Sequence, residues 1–496
     1  MASDPINTYS SLEPVYGDAA KTARRRYETI KAAFEERFGA PPEAFARSPG
    51  RVNLIGEHID YEGYGVLPMA LAVDTVVAVR RGGDELVVCN VDANKYPEQR
   101  FGVDPAQEVD VGKHNWGNYF LAAYKGVFEQ LAAKGVAAPA PVGLQIMVHG
   151  TVPTGGGLSS SAAIVCSSAL AIMRMHGIEL TKGEVSEFTA KAERYVGVTS
   201  GGMDQAISVM GMPGIAKLVD FNPVRASDVV LPEGAVFVVA NSLAISNKAE
   251  SATKHYNLRV VECRLAAGVL AVLMGESKEA ARKIITLKEV EPLIEAKYSG
   301  PKASTSGTQA AAVEELLHEG AYATAEVEEL LGAKLTDLYE GNASALRVLA
   351  ANGSFELRKR ALHVYAEKQR VPDFRDVCNS SSLSAEEKLA QLGKLMDESH
   401  ASCRDLYECS SVELDTLVQV AKGAGAIGSR LTGAGWGGCT VSLVRESEVA
   451  GFIQKVKAGY FQGLIDAARI TEADLPQCLF ASKPASGGAI LAGLQL

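Results

Sequence analysis

The spacing of apolar and polar positions divides the chain into alternating helix-like and strand-like stretches. Residues 18 to 38 carry Ala23, Tyr27, Ile30, Ala33, Phe34 and Phe38 at helical spacing, which predicts an amphipathic helix capping a core. From Ala46 the pattern turns strand-like, with Ala72–Val79 and Glu85–Asn90 as short β runs bounded by Gly82-Gly83. Helical spacing returns over Trp116–Lys134, Leu144–Val148 reads as a strand, and Ser160–Met175 and Lys182–Val196 read as helices before a further strand at Ala235–Asn241. Residues 256 to 345 are rich in Ala, Glu, Lys and Leu and predict helices, interrupted by a loop over 299–308. Helices resume from Phe355 to Leu395, and strand and helix patterns then alternate through Leu443, Phe452–Tyr460 and Leu479–Leu491. Grouped strands and helices, without strict alternation, predict an α+β fold. A boundary near residue 235 divides the chain into 1–235 and 236–496, with a helical insertion around 268–345.

Composition narrows the class. With 496 residues, 22% charged and 47% hydrophobic, the chain resembles a soluble globular protein long enough for more than one core. A formal net charge of −10 argues against nucleic acid, whose phosphates need a basic face. The opening Met-Ala-Ser-Asp-Pro-Ile-Asn has no basic and apolar signal pattern, and no run approaches the roughly 18 apolar residues of a membrane span. A cytoplasmic protein without a membrane partner is therefore expected. Eight scattered cysteines without a Cys-x-x-Cys pair read as reduced thiols packed as small hydrophobes.

Three clusters carry candidate chemistry. Residues 153 to 163, Pro-Thr-Gly-Gly-Gly-Leu-Ser-Ser-Ser-Ala-Ala, follow a strand and open a helix. Glycines admit positive φ and close approach, while a helix start aims unpaired N–H groups at an anion, so the stretch reads as a phosphate cradle. It lacks the Gly-Lys-Ser/Thr ending of a Walker loop, and a tight strand-to-helix connection is the plain alternative. Residues 48 to 68 (Ser-Pro-Gly-Arg-Val-Asn-Leu-Ile-Gly-Glu-His-Ile-Asp-Tyr-Glu-Gly-Tyr-Gly-Val-Leu-Pro) bring Glu57, His58 and Asp60 together, a set suited to a polyol. Residues 430 to 439 (Arg-Leu-Thr-Gly-Ala-Gly-Trp-Gly-Gly-Cys) cannot be helical and predict a turn packed on the phosphate loop. In Gly201-Gly202-Met203-Asp204-Gln205 an acid follows a glycine pair, where either a substrate contact or a helix N-cap is served. Arg51, leading into the apolar Val52–Ile55, calls for a carboxylate partner, and Asp204 is the natural one; such pairing favours the charged carboxylate.

Together these clusters resemble the three motifs of the GHMP small-molecule kinases, and the first closely resembles the galactokinase signature. The resemblance runs from about residue 45 to the C-terminus and is nearest to the plant galactokinases and their relatives, the N-acetylgalactosamine kinases. It implies a two-domain fold with mixed or antiparallel sheets flanked by helices and an active site between the domains. It also implies a sugar 1-kinase that uses ATP and Mg2+, acts on galactose and works as a monomer. By the same resemblance Asp204 is the base and Arg51 its partner, and Arg51, Glu57, His58, Asp60, Gly201, Asp204 and Tyr256 bind the sugar. Gly155, Gly156, Gly157, Ser159, Ser160 and Ser161 hold the phosphates, Trp116, Asn247 and Lys248 the rest of the nucleotide, and Glu193 with a serine, Ser161 by preference, the magnesium.

Three activities are compatible with this pattern. Galactose 1-kinase is the first. N-acetylgalactosamine 1-kinase is the second, favoured by a resemblance in residues 241–267 and in the Glu193-to-Asp204 spacing, while Tyr256 speaks for galactose because the sister enzymes tend to carry phenylalanine. A non-catalytic sensor of galactose and ATP is the third, and the complete Ser159–Ala163 stretch speaks against it. A protein kinase is disfavoured, since Asp373-Phe374 is followed by Arg375 where a glycine is needed.

Overall fold

Long Val-, Ala- and Leu-rich runs build the larger sheet of this computed structural model, which describes residues 2–110, 112, 115–197, 201–221, 223–244, 253–298 and 305–496. Its seven strands are β1 (Asn7–Tyr9), β2 (Ala44–Ile55), β3 (Leu67–Arg81), β4 (Leu86–Asn90), β5 (Gln99–Phe101), β6 (Leu144–Gly150) and β15 (Ala489–Ala492), in the order β1-β15-β2-β3-β6-β4-β5. The pairs β1–β15 and β4–β6 are parallel and the others antiparallel, so the sheet is mixed. Alternation along the strands separates its faces. Phe45, Val76, Ala78 and Met147 point toward the Ala20–Phe38 helix and its Tyr27, Ile30 and Phe34. Ala46, Val77, Val79, Ile146 and Val148 point the other way, into a core shared with the Asn118–Ala133 and Ser160–His176 helices.

The hairpin β2–β3 carries the signature residues. All twelve residues of β2 are buried, and its register against β3 shifts between Pro49 and Arg51 and again between Asn53 and Ile55. Proline cannot donate to a ladder, and the first irregularity falls at Pro49. β7 (Ile215–Asp220) and β8 (Arg225–Val230) form a separate hairpin that touches the turn after β2 through a Val66–Val219 bridge.

Sheet membership changes at Ala235. β9 (Ala235–Asn241) joins β12 (Gly428–Thr432), β13 (Cys439–Arg445) and β14 (Leu479–Ser482) in an antiparallel sheet ordered β12-β13-β9-β14. The described residues between β9 and β12 are mostly helical, with one short pair, β10 (Tyr322–Ala323) and β11 (Ser354–Phe355). Membership changes back at the C-terminus, where β15 lies between β1 and β2. Among the described residues no helix is long and apolar enough to cross a membrane. All eight cysteines are buried and free.

Two local expectations need correction. Spacing predicts Glu193 within one helix over Lys182–Val196, but the α-helix ends at Ala192 and Glu193 opens a 3-10 turn running to Val196. Gly197, at φ 85°, terminates that turn. The loop expected over 299–308 is shorter than its span, because a helix begins at Thr305, while 299–304 lie outside the described residues.

Candidate active site

Arg51 links two of the candidate clusters. It projects from β2, and its Nε donates to Asp204 Oδ1 at 2.7 Å while its Nη1 donates to Gly157 O at 2.6 Å. The guanidinium is buried and the carboxylate half-buried. Asp204 lies in the first turn of the Met203–Met210 helix, whose N-cap is Gly202 at φ 102°. The N-cap alternative for Asp204 is thereby removed: the carboxylate is held by Arg51 and the cap position belongs to a glycine.

The serine-rich loop sits against this pair. Gly155 and Gly157 have φ of 73° and 72°, and Ser159 is a left-handed residue at φ 59° capping the Ser160–His176 helix. The first amides of that helix have no carbonyl ahead of them. Ser159 is buried and its Oγ has no hydrogen-bond partner among the described residues; Ser160 and Ser161 are half-exposed on the first turn. The loop thus offers backbone donors, hydroxyls and a helix start to an anion.

The turn after β2 gathers the polyol candidates. Gly56 at φ 100° and His58 at φ 61° bend the chain so that Glu57, His58 and Asp60 leave one short segment. Glu57 is buried, and its Oε1 accepts from Gly433 N at 2.8 Å and lies 3.5 Å from Arg430 Nη1. Burial raises its pKa against the opposing pull of Arg430 and Arg51. Asp60 is half-buried, and burial, with the charges of Asp204 and Glu57, pushes it up to about 7. A Cβ on Gly201 would collide with the Asp60 carboxylate, so the glycine is what lets the two approach. Tyr256 opens the Tyr256–Leu273 helix, with its ring 5.5 Å from that of His58 and 5.6 Å from that of Tyr61. Burial, then Asp60 and Asp204, raise its phenol pKa, so it remains a hydroxyl.

The third glycine cluster closes the site from the other sheet. A Cβ on Gly433 would lie 2.6 Å from Gly157 O, and one on Gly438 3.0 Å from Gly156 O. The two glycine loops therefore touch backbone to backbone, as expected for a turn packed on the phosphate loop.

Several residues of the site carry no signal in the sequence. Glu367, fully buried on the Leu357–Asn379 helix, accepts from Gly56 N at 2.8 Å, Glu57 N at 3.2 Å and Ser399 Oγ at 2.6 Å. One turn earlier, His363 Nε2 lies 3.1 Å from Glu57 O, so one helix face holds both backbone groups of Glu57. Burial opposes ionisation of Glu367, but Arg370 and Arg430 outweigh it and hold the carboxyl down at about 2. These side chains lie more than three hundred positions from the turn in sequence, and no local pattern marks them. Arg430 stands in the sequence only as the first residue of the third cluster; the structure buries it against Asn53 O, at 3.0 Å, and Glu57.

The remaining candidates are placed less centrally. Glu193, 1% exposed, packs with its turn against the Asn118–Ala133 and Ser160–His176 helices. Trp116 is half-exposed, donates its indole N–H to Pro97 O at 2.8 Å and meets the Tyr96 ring edge-on. Asn247 and Lys248 lie outside the described residues.

Comparison with known proteins agrees with this layout. Residues 32–81 match the galactokinase galactose-binding signature, 118–212 the GHMP kinases N terminal domain, and 381–462 the GHMP kinases C terminal. A galactokinase of Dictyostelium discoideum is 38% identical, with 97% of each chain covered. One of Saccharomyces cerevisiae is 35% identical over 97% of this chain and 98% of its own. Among solved structures, Lactococcus lactis galactokinase complexed with galactose superposes with a TM-score of 0.66 at 25% identity, covering 94% of this chain and 99% of that one. With three family models matched along the chain and relatives matched over nearly their whole length, the chain belongs to the galactokinase family of GHMP kinases.

Proposed function

We infer that the chain transfers the γ-phosphoryl group of ATP to the anomeric hydroxyl of galactose, giving α-D-galactose 1-phosphate and ADP. The observation that carries this reading is the Arg51–Asp204 pair, fixed between the serine-rich loop and the turn of Glu57, His58 and Asp60. A base, a cation and a phosphate cradle then converge where a sugar hydroxyl and a phosphoryl group have to meet.

Glu57, His58, Asp60, Gly201 and Tyr256 surround the sugar in this reading. Asp60, titrating at about 7, both donates to and accepts from a hydroxyl near neutral pH. Asp204 takes the proton of the anomeric hydroxyl as the oxygen attacks phosphorus in line, and Arg51 keeps the carboxylate in place while its cationic group faces the phosphoryl oxygens. Gly155, Gly156, Gly157 and Ser159–Ser161 hold the β-phosphate through amides and hydroxyls, with Trp116, Asn247 and Lys248 on the nucleotide side.

Magnesium fits the donors on offer, which are all oxygen: the carboxylate of Glu193 and a serine hydroxyl, Ser161 by preference, with the buried Ser159 Oγ, which has no hydrogen-bond partner among the described residues, two residues earlier in the loop. Among the described residues no group of three His, Cys, Asp or Glu side chains is arranged to hold a metal, so phosphate oxygens and water would complete the shell. When bound, the ion neutralises charge on the phosphates. The division near residue 235 belongs to the same reading: the sugar turn and phosphate loop come from before it, the closing glycine turn from after it.

The test is turnover of the purified protein with MgATP on galactose, N-acetylgalactosamine and glucose. Galactose is expected to give the highest kcat/KM; a lead for N-acetylgalactosamine reassigns the substrate, and binding without turnover makes the chain a sensor.

A further inference from the structure

A chain of hydroxyl and thiol groups, half-buried at Tyr61 and fully buried at Tyr407 and Cys263, runs away from the sugar turn and ends in the core. His58 Nδ1 lies 3.0 Å from Tyr61 Oη, Tyr61 Oη lies 2.6 Å from Tyr407 Oη, and Tyr407 Oη lies 3.2 Å from Cys263 Sγ. The other imidazole nitrogen, Nε2, lies 2.9 Å from Ala434 O, in the glycine turn of the opposite sheet. A carbonyl only accepts, so Nε2 carries the proton, and in the neutral ring Nδ1 must accept. Every later bond then has one direction: Tyr61 donates to His58, Tyr407 donates to Tyr61, and Cys263 donates to Tyr407. Burial raises the pKa of Tyr61, Tyr407 and Cys263 alike, so each group keeps the proton that this ordering uses.

We propose that Tyr61, Tyr407 and Cys263 are positioning residues that fix the Nε2–H tautomer of His58 and, through it, the affinity of the site for galactose. The proposal rests on the proposed membership of His58 in the sugar site. Tyr407 is the hub. Its ring lies 4.8 Å from that of His58 and 4.3 Å from that of His363, and its carbonyl accepts from Arg259 Nε at 2.7 Å. Cys263 lies two turns along the helix that Tyr256 opens. A hydroxyl inside an apolar core is costly without a partner, and phenylalanine would fill the same volume at position 407. The hydroxyls therefore have a use that packing does not supply: they order the imidazole before the sugar arrives.

The experiment is nitrogen NMR of the full chain labelled at histidine, with the His58 signals identified by their loss in His58→Asn, alongside steady-state kinetics. Wild type is expected to show a protonated Nε2 and an unprotonated Nδ1. In Tyr407→Phe and Tyr61→Phe the two nitrogens should move toward averaged values, with KM for galactose rising between about twofold and about tenfold, the reach of one neutral hydrogen bond. KM for ATP should stay within about twofold, and the double variant should be little worse than the poorer single, as expected for one connected unit. Cys263→Ser, which keeps a donor, should behave as wild type. Unchanged His58 nitrogens in both phenylalanine variants overturn the proposal. Altered nitrogens with an unchanged galactose KM leave the tautomer control standing but overturn its link to the sugar, and with it the place of His58 in the proposed site.

Discussion

Asp204 and Arg51 are 153 positions apart in sequence and 2.7 Å apart in space, and the chemistry proposed for the site depends on that contact. Asp204→Ala should lower kcat by more than about a hundredfold with little change in galactose binding, the usual reach of a general base; near-normal turnover would refute its role. Tyr256, whose ring lies beside those of His58 and Tyr61, is expected to govern the room left around the sugar in the proposed site. Tyr256→Phe should raise the use of N-acetylgalactosamine relative to galactose in competition assays, and an unchanged ratio would clear Tyr256 of that part. Asp60 gives a pH prediction. Its carboxyl titrates at about 7 in the folded chain against an ordinary 3.8, so the native state holds an extra proton between those values. Stability contributed by that proton is lost as pH rises through the window. Asp60→Asn has no such proton to lose, and its melting temperature relative to wild type should increase from about pH 5 to about pH 8; a constant gap would show that Asp60 titrates normally.

Among elements, the two glycine turns touch backbone to backbone across the two sheets. Gly433 combines φ 83° with a Cβ position 2.6 Å from Gly157 O, so any side chain there strains the backbone and pushes the phosphate loop away. Gly433→Ala should raise KM for ATP by about tenfold or more, on the view that a small displacement of a positioning loop costs that much; unchanged kinetics would show that the loops are independent. The Leu357–Asn379 helix acts on the other side of the site, where Glu367 and His363 clamp the backbone of Gly56 and Glu57. The motif thus contains the residues proposed to face the substrates, while its shape is held from a helix that no motif covers.

Across the whole molecule, one buried cluster joins the two ends of the chain to the signature hairpin. Asp74 on β3 accepts from Arg47 on β2 at 2.8 Å, from Arg26 on the Ala20–Phe38 helix and from Tyr16 at 2.7 Å. Arg47 also donates to the carbonyls of Ser486 and Gly487, just before β15. Burial opposes the charge on Asp74, but Arg26 and Arg47 outweigh it and bring the carboxyl to about 2 from 3.8. A lowered pKa contributes stability that is present above the unfolded value and lost as pH falls through the folded one. Asp74→Asn should therefore destabilise the protein at neutral pH by about 3–5 kcal/mol, the cost of breaking a buried pair, and the gap should narrow as pH falls from about 4 to about 2. An equal gap at both ends of that range would mean that Asp74 is not ionised.

Much of this architecture is legible in the chain and some is not, and the difference has physical causes. Periodicity within one element depends on neighbouring residues, so the Ala20–Phe38 helix, β9 and the strand-loop-helix of the phosphate loop follow from spacing alone. Glycine at set positions restricts backbone shape without reference to the rest of the fold, which is why the three clusters, their chemical types, the fold class and the family can be read from the order of residues. Where one element ends against another is a matter of packing: Glu193 leaves its helix for a 3-10 turn set against two neighbouring helices, and Asp204 is taken from a cap by Arg51. The same holds for the residues behind the motifs. Glu367, His363 and Tyr407 come to the motif turn only through the folding of distant segments onto one another, because a buried hydrogen bond is set by distance in space, and separation along the chain carries no information about it.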